Sequence, residues 1–524
     1  MTNNFKSLDR LGTSSLEKLG TSFSIPQQIR DKFPREDRDK FFNFQKRERG
    51  MISLVILIFG SVAIIIMSGL IIWIDATQKA TYRSSDKKLA LMIAEAGIEY
   101  YRWHLAHSPQ DFQDGTGVAG PYVHNYYDKD GKQIGAFILE ITSPSPNSSI
   151  ITITSTGTVL SDTSIEKIIQ VRLGLPSLIK YAVLSNSDIR FETGTQVYGP
   201  IHSNGGIHFD GVASNLVTSA RTIYNDPDHS GSDEFGVHTH ILPIDPLPPA
   251  SLPIRQDVFN AGRNFPVPIV DFNSLTESLA KIKSKAQSAG KYFANSGSKG
   301  YHIVLKTNDT FDIYKVKKLA RKPDKSCKNS LRQKGWKTWS IRTGAGAEQL
   351  IGNYPIPANG LIFVEDHVWI DGQVSTAKVT IASGRFPYNP RKYTNIVINK
   401  DLKYTSYDGK DAIGLIAQGS VLVGMDSEDD LRIDAAAIAQ NGQVARYYYK
   451  PADSKPNCSP YSVRQKLTFN GMIGVNKGYG FAYSDGSGYQ DRTISYDSNL
   501  LYNPPPSFPL TSTFYQQISW LEIK

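Results

Sequence analysis

Histidine and aspartate side chains are concentrated between positions 202 and 240, where they could bind a metal ion. This stretch holds five of the ten histidines. The residues are His202, His208, His229, His238 and His240, with Asp210, Asp226, Asp228 and Asp233 close by. Side chains alternate along a β-strand, so His-Thr-His at 238–240 would present two imidazoles on one face to Zn²⁺ or Ca²⁺. The spacing matches no known metal motif, so we predict a solvated polar loop, with metal binding as the alternative.

A second group of side chains, between Lys315 and Arg342, could bind an anionic polymer. It contains eleven basic residues and a single acid, Asp324. Cations suit a phosphate backbone, and interleaved indole rings suit base stacking; an anionic glycan is the other candidate ligand. The candidate binding residues are Lys325, Lys328, Arg332, Lys334, Trp336 and Trp339. The alternative is a solvated surface hairpin whose tryptophans pack underneath.

Motifs of the common enzyme classes are missing from the sequence. It contains no GxSxG, no P-loop, no HExxH and no GxGxxG opening a helix. The acidic run Met425–Asp430 is interpreted as a solvated loop. We therefore predict that the protein is not an enzyme and needs no cofactor, although a hydrolase built on scattered aspartates stays open.

The chain has only two cysteines, Cys327 and Cys458. Two cysteines form neither a disulfide framework nor a four-cysteine zinc site. Outside the cytoplasm they could pair with each other, or they could be unrelated thiols.

Length and composition indicate several β-rich units. A chain of 524 residues is too long for one compact core and predicts two to four units. The abundance of Gly, Thr, Ser, Tyr, Val and Ile favours strands over helices. The net charge of +9 permits an anionic partner without requiring one.

One segment near the N-terminus is apolar enough to cross a membrane. No charged residue occurs between Met51 and Ile74. At ~1.5 Å per residue, this run can span a hydrocarbon core of ~30 Å. Positions 30–49 hold eight basic residues and positions 75–94 hold four. The positive-inside rule then predicts a single-pass protein of the cell membrane, with residues 1–50 cytoplasmic and 75–524 outside.

The helix is predicted to continue beyond the membrane. Leu89, Met92, Ile93, Ala96 and Tyr100 fall on one face at helical spacing, before Pro109 ends the pattern. The result would be one helix of about 55 residues, apolar in its first half and amphipathic from 75 to 108.

The basic stretch KRERG ending at Gly50, the apolar run and the sequence ALMIAEAGIEYY resemble type IV pilin-like proteins, in particular minor pilins with an AEAG-type stretch. The resemblance covers about residues 45–108. It implies that a prepilin peptidase cuts between Gly50 and Met51 and that a globular head is displayed. Two features depart from the family: Val55 replaces the usual Glu at the fifth mature position, and the 50-residue leader is long. An uncleaved anchor is the alternative.

The remainder is predicted to be mainly β. Alternating stretches such as GAFILEITS indicate a pilin-like antiparallel sheet over 109–176. Short apolar strands with Gly or Asn turns predict a β-solenoid-like domain, or a β-sandwich, over 177–220 and 351–524. Stretches such as GPIHSNGGIHFDG resemble the solenoid-like domain of uncharacterised bacterial surface proteins. Residues 221–350 would form an α+β insertion, with a helix at 274–289 preceded by Ser274 and Glu277 at capping-box spacing.

Together these features predict a membrane-anchored structural subunit of a type IV pilus or related filament, with a priming, tip or decoration role. Its expected partners are the lipid membrane, other pilin-like subunits, and DNA or an anionic glycan. The alternative is a membrane-anchored enzyme or binding module that acts on surface polysaccharide.

Overall fold

The computed structural model describes residues 35–144, 148–177, 179–226, 231–272, 278–453, 455–508 and 514–523, with only the backbone for 35–51 and 278. The chain divides into two compact units, 1–85 and 86–524. We describe each unit by itself.

Two α-helices and 32 β-strands make up the regular structure of the described residues. The helices are α1 (Arg35–His107) and α2 (Ser278–Ala289). The first strands are β1 (Tyr122–Tyr127), β2 (Gln133–Thr142), β3 (Ile150–Val159), β4 (Glu166–Gly174), β5 (Val183–Ser185), β6 (Ile189–Phe191), β7 (Thr195–Tyr198), β8 (Ile201–Ser203), β9 (Ile207–Phe209), β10 (Val212–Ala213), β11 (Val217–Ser219), β12 (Ile223–Asn225), β13 (Asp233–Phe235), β14 (Val237–His238) and β15 (Arg263–Asn264).

The later strands are β16 (Lys291–Phe293), β17 (Gly300–Leu305), β18 (Thr310–Val316), β19 (Glu348–Pro355), β20 (Leu361–Val364), β21 (Val368–Val374), β22 (Lys378–Ser383), β23 (Ile396–Val397), β24 (Leu402–Tyr404), β25 (Ala412–Ala417), β26 (Val421–Val423), β27 (Asp430–Ala439), β28 (Gln443–Arg446), β29 (Val463–Val475), β30 (Gly478–Gly480), β31 (Gly488–Tyr496) and β32 (Gln516–Glu522). A short 3₁₀ helix covers Ser498–Leu501.

The described part of the first unit is helical. Within α1, the stretch Ile52–His107 is long and apolar enough to cross a membrane, and its most apolar part is not buried by the rest of the protein. Exposing so many large apolar side chains to water would be unfavourable, whereas a lipid environment accommodates them. This finding fits membrane anchoring and the predicted span at 51–74.

The second unit begins with a helix packed on a sheet. Residues 89–105 of α1 bury one face against an antiparallel sheet of order β1-β2-β3-β4-β32. The buried helix residues are Ala90, Ile93, Ala94, Ile98, Tyr101 and Leu105. They recur at helical spacing, but the buried face is displaced by about one position from the predicted one. Of the predicted residues Ile93 is buried, Leu89, Ala96 and Tyr100 are half-buried, and Met92 is exposed. Strand β3 alternates strictly between buried and half-buried residues, which places one of its faces under the helix.

Beyond the sheet, strands stack in parallel and in register. One ladder runs in the order β16, β20, β22, β25, β27, β29, β5, β8, β11 and β15. Two further ladders, containing β21-β23-β26-β28-β30 and β27-β29-β31-β7, lie beside it. Apolar residues from the ladders fill one continuous core. Stacked parallel coils are the arrangement of a β-solenoid, so the β-sandwich alternative does not describe this part of the chain.

The coils do not stack in chain order. Strand β5 pairs with β29 and β7 pairs with β31, so the first coils lie on the last one. The chain must therefore return from β15 at one end of the stack to β16 at the other, a distance of roughly 43 Å for nine strand spacings. The described residues 265–272 and 278–290 lie between these two strands in the chain, and α2 packs on the ladder near β20 and β22.

The structure corrects the predicted limits of the insertion and the solenoid. Strands β15, β16 and β17 pair with strands of the ladders, and β14 stacks on β9 in a small parallel sheet with β6, so 221–350 is not a separate insertion. Strand β32 joins the antiparallel sheet through β4, so the solenoid does not extend to residue 524. Both limits depend on which distant strands pair, and the local periodicity of the sequence carries no information about that pairing. The predicted capping residues Ser274 and Glu277 lie outside the described residues.

Candidate anionic-polymer surface

The eleven basic residues lie mostly in a loop between two antiparallel strands at one end of the ladders. Strands β17 and β18 form a hairpin, and β18 pairs with β19 on its other side. The loop between β18 and β19, residues 317–347, is called the cationic loop here. It covers a small apolar cluster that includes Val316, Trp369, Val397 and Leu422.

A disulfide joins the cationic loop to the neighbouring coil. Cys327 and Cys458 are bonded to each other and fully buried, with Cα atoms 4.7 Å apart. The bond links the loop to the connection between β28 and β29. It closes 131 positions of sequence, which restricts the unfolded chain strongly.

Three consecutive tyrosines hold the cationic loop from beneath. The hydroxyl of Tyr447 donates to the Lys334 carbonyl at 3.0 Å, and that of Tyr449 donates to the Lys337 carbonyl at 2.7 Å. The N–H of Tyr448 donates to the side-chain oxygen of Gln333 at 2.9 Å. Burial raises the pKa of Tyr449, so its hydroxyl remains a donor at neutral pH. Sequence reasoning missed this tyrosine support, whose only signal is the YYYK run at 447–450.

Trp339 cannot stack on a base, which corrects its predicted role. Its side chain is 2% exposed and belongs to the apolar cluster under the loop. Its indole N–H donates to the Gly335 carbonyl at 3.0 Å, and its own carbonyl accepts from the indole of Trp369 at 3.0 Å. The loop needs an apolar anchor to remain on the ladder, and Trp339 supplies it.

Trp336 is half-buried and keeps part of its ring at the surface. Its indole N–H donates to the Tyr448 carbonyl at 2.9 Å, which fixes the ring orientation. The Nζ atom of Lys322 lies 5.4 Å from the ring centroid, at a distance typical of a cation–π contact. The Lys322 ammonium group and part of the Trp336 ring therefore lie side by side at the surface of the loop.

The four predicted cations, Lys325, Lys328, Arg332 and Lys334, are exposed. None of them forms an ion pair with a carboxylate of the described residues. The one acid of the segment, Asp324, accepts from the hydroxyl and N–H of Ser326 at 2.6 and 2.7 Å. These hydrogen bonds lower the pKa of Asp324. A single carboxylate leaves most of the positive charge uncompensated on a loop with fixed geometry.

The remaining predicted residues lie elsewhere. Gly50 and Met51 are inside α1, where the backbone alone is described. His208, His238 and His240 come together on and beside strands β9 and β14. His208 and His238 are buried, so the predicted solvated polar loop is wrong for them. His202 lies apart from them and contacts Thr218 and Asn204. Asp233 is exposed, and Asp228 and His229 lie outside the described residues.

Comparison with known proteins adds one distant structural likeness. No protein-family model matches the chain, and no curated protein matches it. Among solved structures, it is similar to the competence-associated pilin ComZ from Thermus thermophilus, with 10% identity and a TM-score of 0.29, covering 84% of this chain and 98% of that one. Similarity this weak supports no inference about function. The fold class follows from the helix and strand pairing: a long apolar N-terminal helix, a pilin-like antiparallel sheet and a parallel β domain.

Proposed function

We propose that this protein is a membrane-anchored, pilin-like subunit of a type IV pilus or a related surface filament, displaying its β domain outside the membrane in a priming, tip or decoration role. The observation that carries the proposal is that two parts of α1 differ in their exposure. Its residues 52–74 are apolar and exposed, while one face of its residues 89–105 is buried on an antiparallel sheet. An exposed apolar stretch needs lipid or neighbouring helices as its partner, and both occur in a filament of pilin-like subunits.

The cationic loop is the proposed contact to a polymer, with DNA as the leading ligand and an anionic glycan as the second. Exposed Lys and Arg side chains suit phosphate contacts, and the partly exposed Trp336 adds a ring edge. The alternative is an anchored enzyme or binding module for surface polysaccharide, and a binding module would use the same loop if that polysaccharide is anionic.

We expect processing between Gly50 and Met51 in the native host. The basic KRERG stretch precedes an uninterrupted apolar segment, which is the resemblance that motivates the cleavage. Mass analysis of the N-terminal peptide should find Met51 as the first residue, and Gly50→Leu should retain the leader. Wild-type protein with an intact leader would instead identify an uncleaved anchor.

Replacing Lys325, Lys328, Arg332 and Lys334 by Ser should weaken DNA binding roughly tenfold or more at low salt. Each lost phosphate contact also reduces the dependence of log affinity on log salt by about one. The full chain in detergent would be titrated with short single- and double-stranded DNA at several salt concentrations.

A matched control has the same change in charge at exposed positions outside the loop: Lys129, Arg391, Lys392 and Lys477 replaced by Ser. This variant should bind like the wild type. Equal weakening in both variants would assign the effect to net charge, and no salt-sensitive binding by the wild type would leave the loop as a solvated surface.

A further inference from the structure

Three histidines meet where strands β9 and β14 stack. Strands β9 and β14 are parallel neighbours, and His208 and His238 are direct register partners on them. His240 follows two positions later, and the three ring centroids lie 4.1–5.0 Å apart. One ligand atom from each ring lies within 4.8 Å of the others. The stacking of β9 and β14 therefore adds His208 to the two histidines that are close in sequence.

Buried carboxylates surround the rings. The Oδ2 atom of Asp226 lies 2.7 Å from Nδ1 of His208 and 3.2 Å from Nε2 of His238. Asp210 lies 2.8 Å from Nε2 of His208, and Glu234 lies 3.7 Å from Nε2 of His240. These three carboxylates are 2–8% exposed. Buried negative charge is costly unless cations compensate it, and a divalent ion at the centre would do so.

Hydrogen bonds orient two of the rings toward one point. Nδ1 of His238 lies 3.3 Å from the Phe235 carbonyl, so an N–H there leaves Nε2 free to act as a ligand. Nε2 of His208 faces Asp210, which leaves its Nδ1 beside Asp226. Asp210 is itself fixed by the N–H of His240 at 2.8 Å and the hydroxyl of Thr239 at 3.2 Å. Metal-ligating histidines are held by such outer carboxylates and carbonyls.

We propose that His208, His238 and His240 bind one Zn²⁺, with Asp226 as the fourth ligand and Asp210 as a positioning residue. Three imidazoles and one carboxylate suit Zn²⁺, whereas Ca²⁺ prefers oxygen ligands throughout. Ligands at about 2.1 Å from a tetrahedral ion lie about 3.4 Å apart, so the rings need only small inward shifts. Four protein ligands make a closed structural site. It ties β12, which Asp226 directly follows, and β13, which contains Glu234, to strands β9 and β14.

The test uses the full chain in detergent, stripped with EDTA and then supplied with Zn²⁺. We expect one zinc per chain by elemental mass spectrometry and a melting temperature several degrees above that of the stripped protein. Cobalt(II) in place of zinc should give the visible absorption bands of a tetrahedral site. His238→Gln and His240→Gln should lose stoichiometric zinc, and Asp210→Asn should bind it about 10–100-fold more weakly.

His202→Gln is the matched control, because His202 is a buried histidine of the same segment outside the cluster. It should keep its zinc. The proposal fails if the wild type binds no stoichiometric zinc and melts alike with and without it, which would leave a metal-free network of ion pairs. It also fails if His238→Gln and Asp210→Asn bind zinc like the wild type. Should His238→Gln not fold, Asp210→Asn and the cobalt spectrum of the wild type still decide the outcome.

Discussion

Gly157→Val is expected to destroy the packing of α1 on its sheet. A Cβ atom at Gly157 would overlap the main-chain carbonyl oxygen of Ala90 and lie 2.5 Å from the main-chain nitrogen of Ala94. Both atoms belong to the backbone of α1, so no side-chain rotation can relieve the overlap. We expect a loss of more than about 3 kcal/mol in the free energy of unfolding of this unit.

Thermal unfolding and protease digestion of the full chain in detergent would measure this loss. Thr156→Val is the control, because Thr156 is the neighbouring strand residue and is only half-buried on the other face. It should melt like the wild type. If Gly157→Val also did so, residues 90–94 of the helix would not lie against β3, and the helix-and-sheet unit described above would be wrong.

Replacing Cys327 and Cys458 by Ser should release the cationic loop. The disulfide closes 131 positions of sequence, and its loss is expected to remove about 2–5 kcal/mol of stability. The buried Trp339 and the three tyrosines would still attach part of the loop to the ladders. We therefore expect the loop to open locally, without global unfolding of the protein. Limited trypsin digestion offers a direct measurement, because the loop carries many exposed Lys and Arg side chains.

In the double variant we expect early cleavages within 317–347, whereas the oxidised wild type should be cut there slowly. Wild type treated with a reductant should behave like the variant. Equal cleavage rates in all three samples would show that the disulfide does not restrain the loop.

Local patterns in the sequence were sufficient for the first part of the fold. The uncharged run from Met51 predicted the long helix. The helical spacing from Leu89 to Tyr100 predicted one buried face but placed it about one position away, since Met92 is exposed and Ala94 and Ile98 are buried. Pro109 lies two positions after the observed end of α1 at His107. Alternating apolar residues likewise predicted β2, β3 and β4. In each case, the signal lies within a few turns of helix or one strand.

Features that depend on distant pairing could not be predicted. Nothing local in β32 shows that it pairs with β4, and nothing in β5 shows that it stacks on β29. The two tryptophans of the cationic loop have similar surroundings in the sequence, yet Trp339 is buried and Trp336 is not. The cysteine pairing stayed open for the same reason.

The cluster of His208, His238 and His240 depends partly on a local pattern and partly on distant strand pairing. The period-two spacing of His238 and His240 predicted two neighbouring imidazoles, and their ring centroids lie 5.0 Å apart although β14 ends at His238. The contribution of His208 depends on the parallel register between β9 and β14, which the sequence does not encode in any short motif. The carboxylates of Asp226 and Glu234 arrive on the β12–β13 hairpin, whose position also depends on the stack.

Shearing filaments from native cells tests the proposed function most directly. An antiserum against residues 86–524 would follow the protein in sheared filaments and in washed membranes. We expect the processed chain in the sheared fraction together with other pilin-like subunits, and its loss from that fraction when prepilin peptidase is removed. Protein found only in membranes, with its leader intact and unaffected by removing the peptidase, would contradict the proposal and favour an anchored enzyme or binding module.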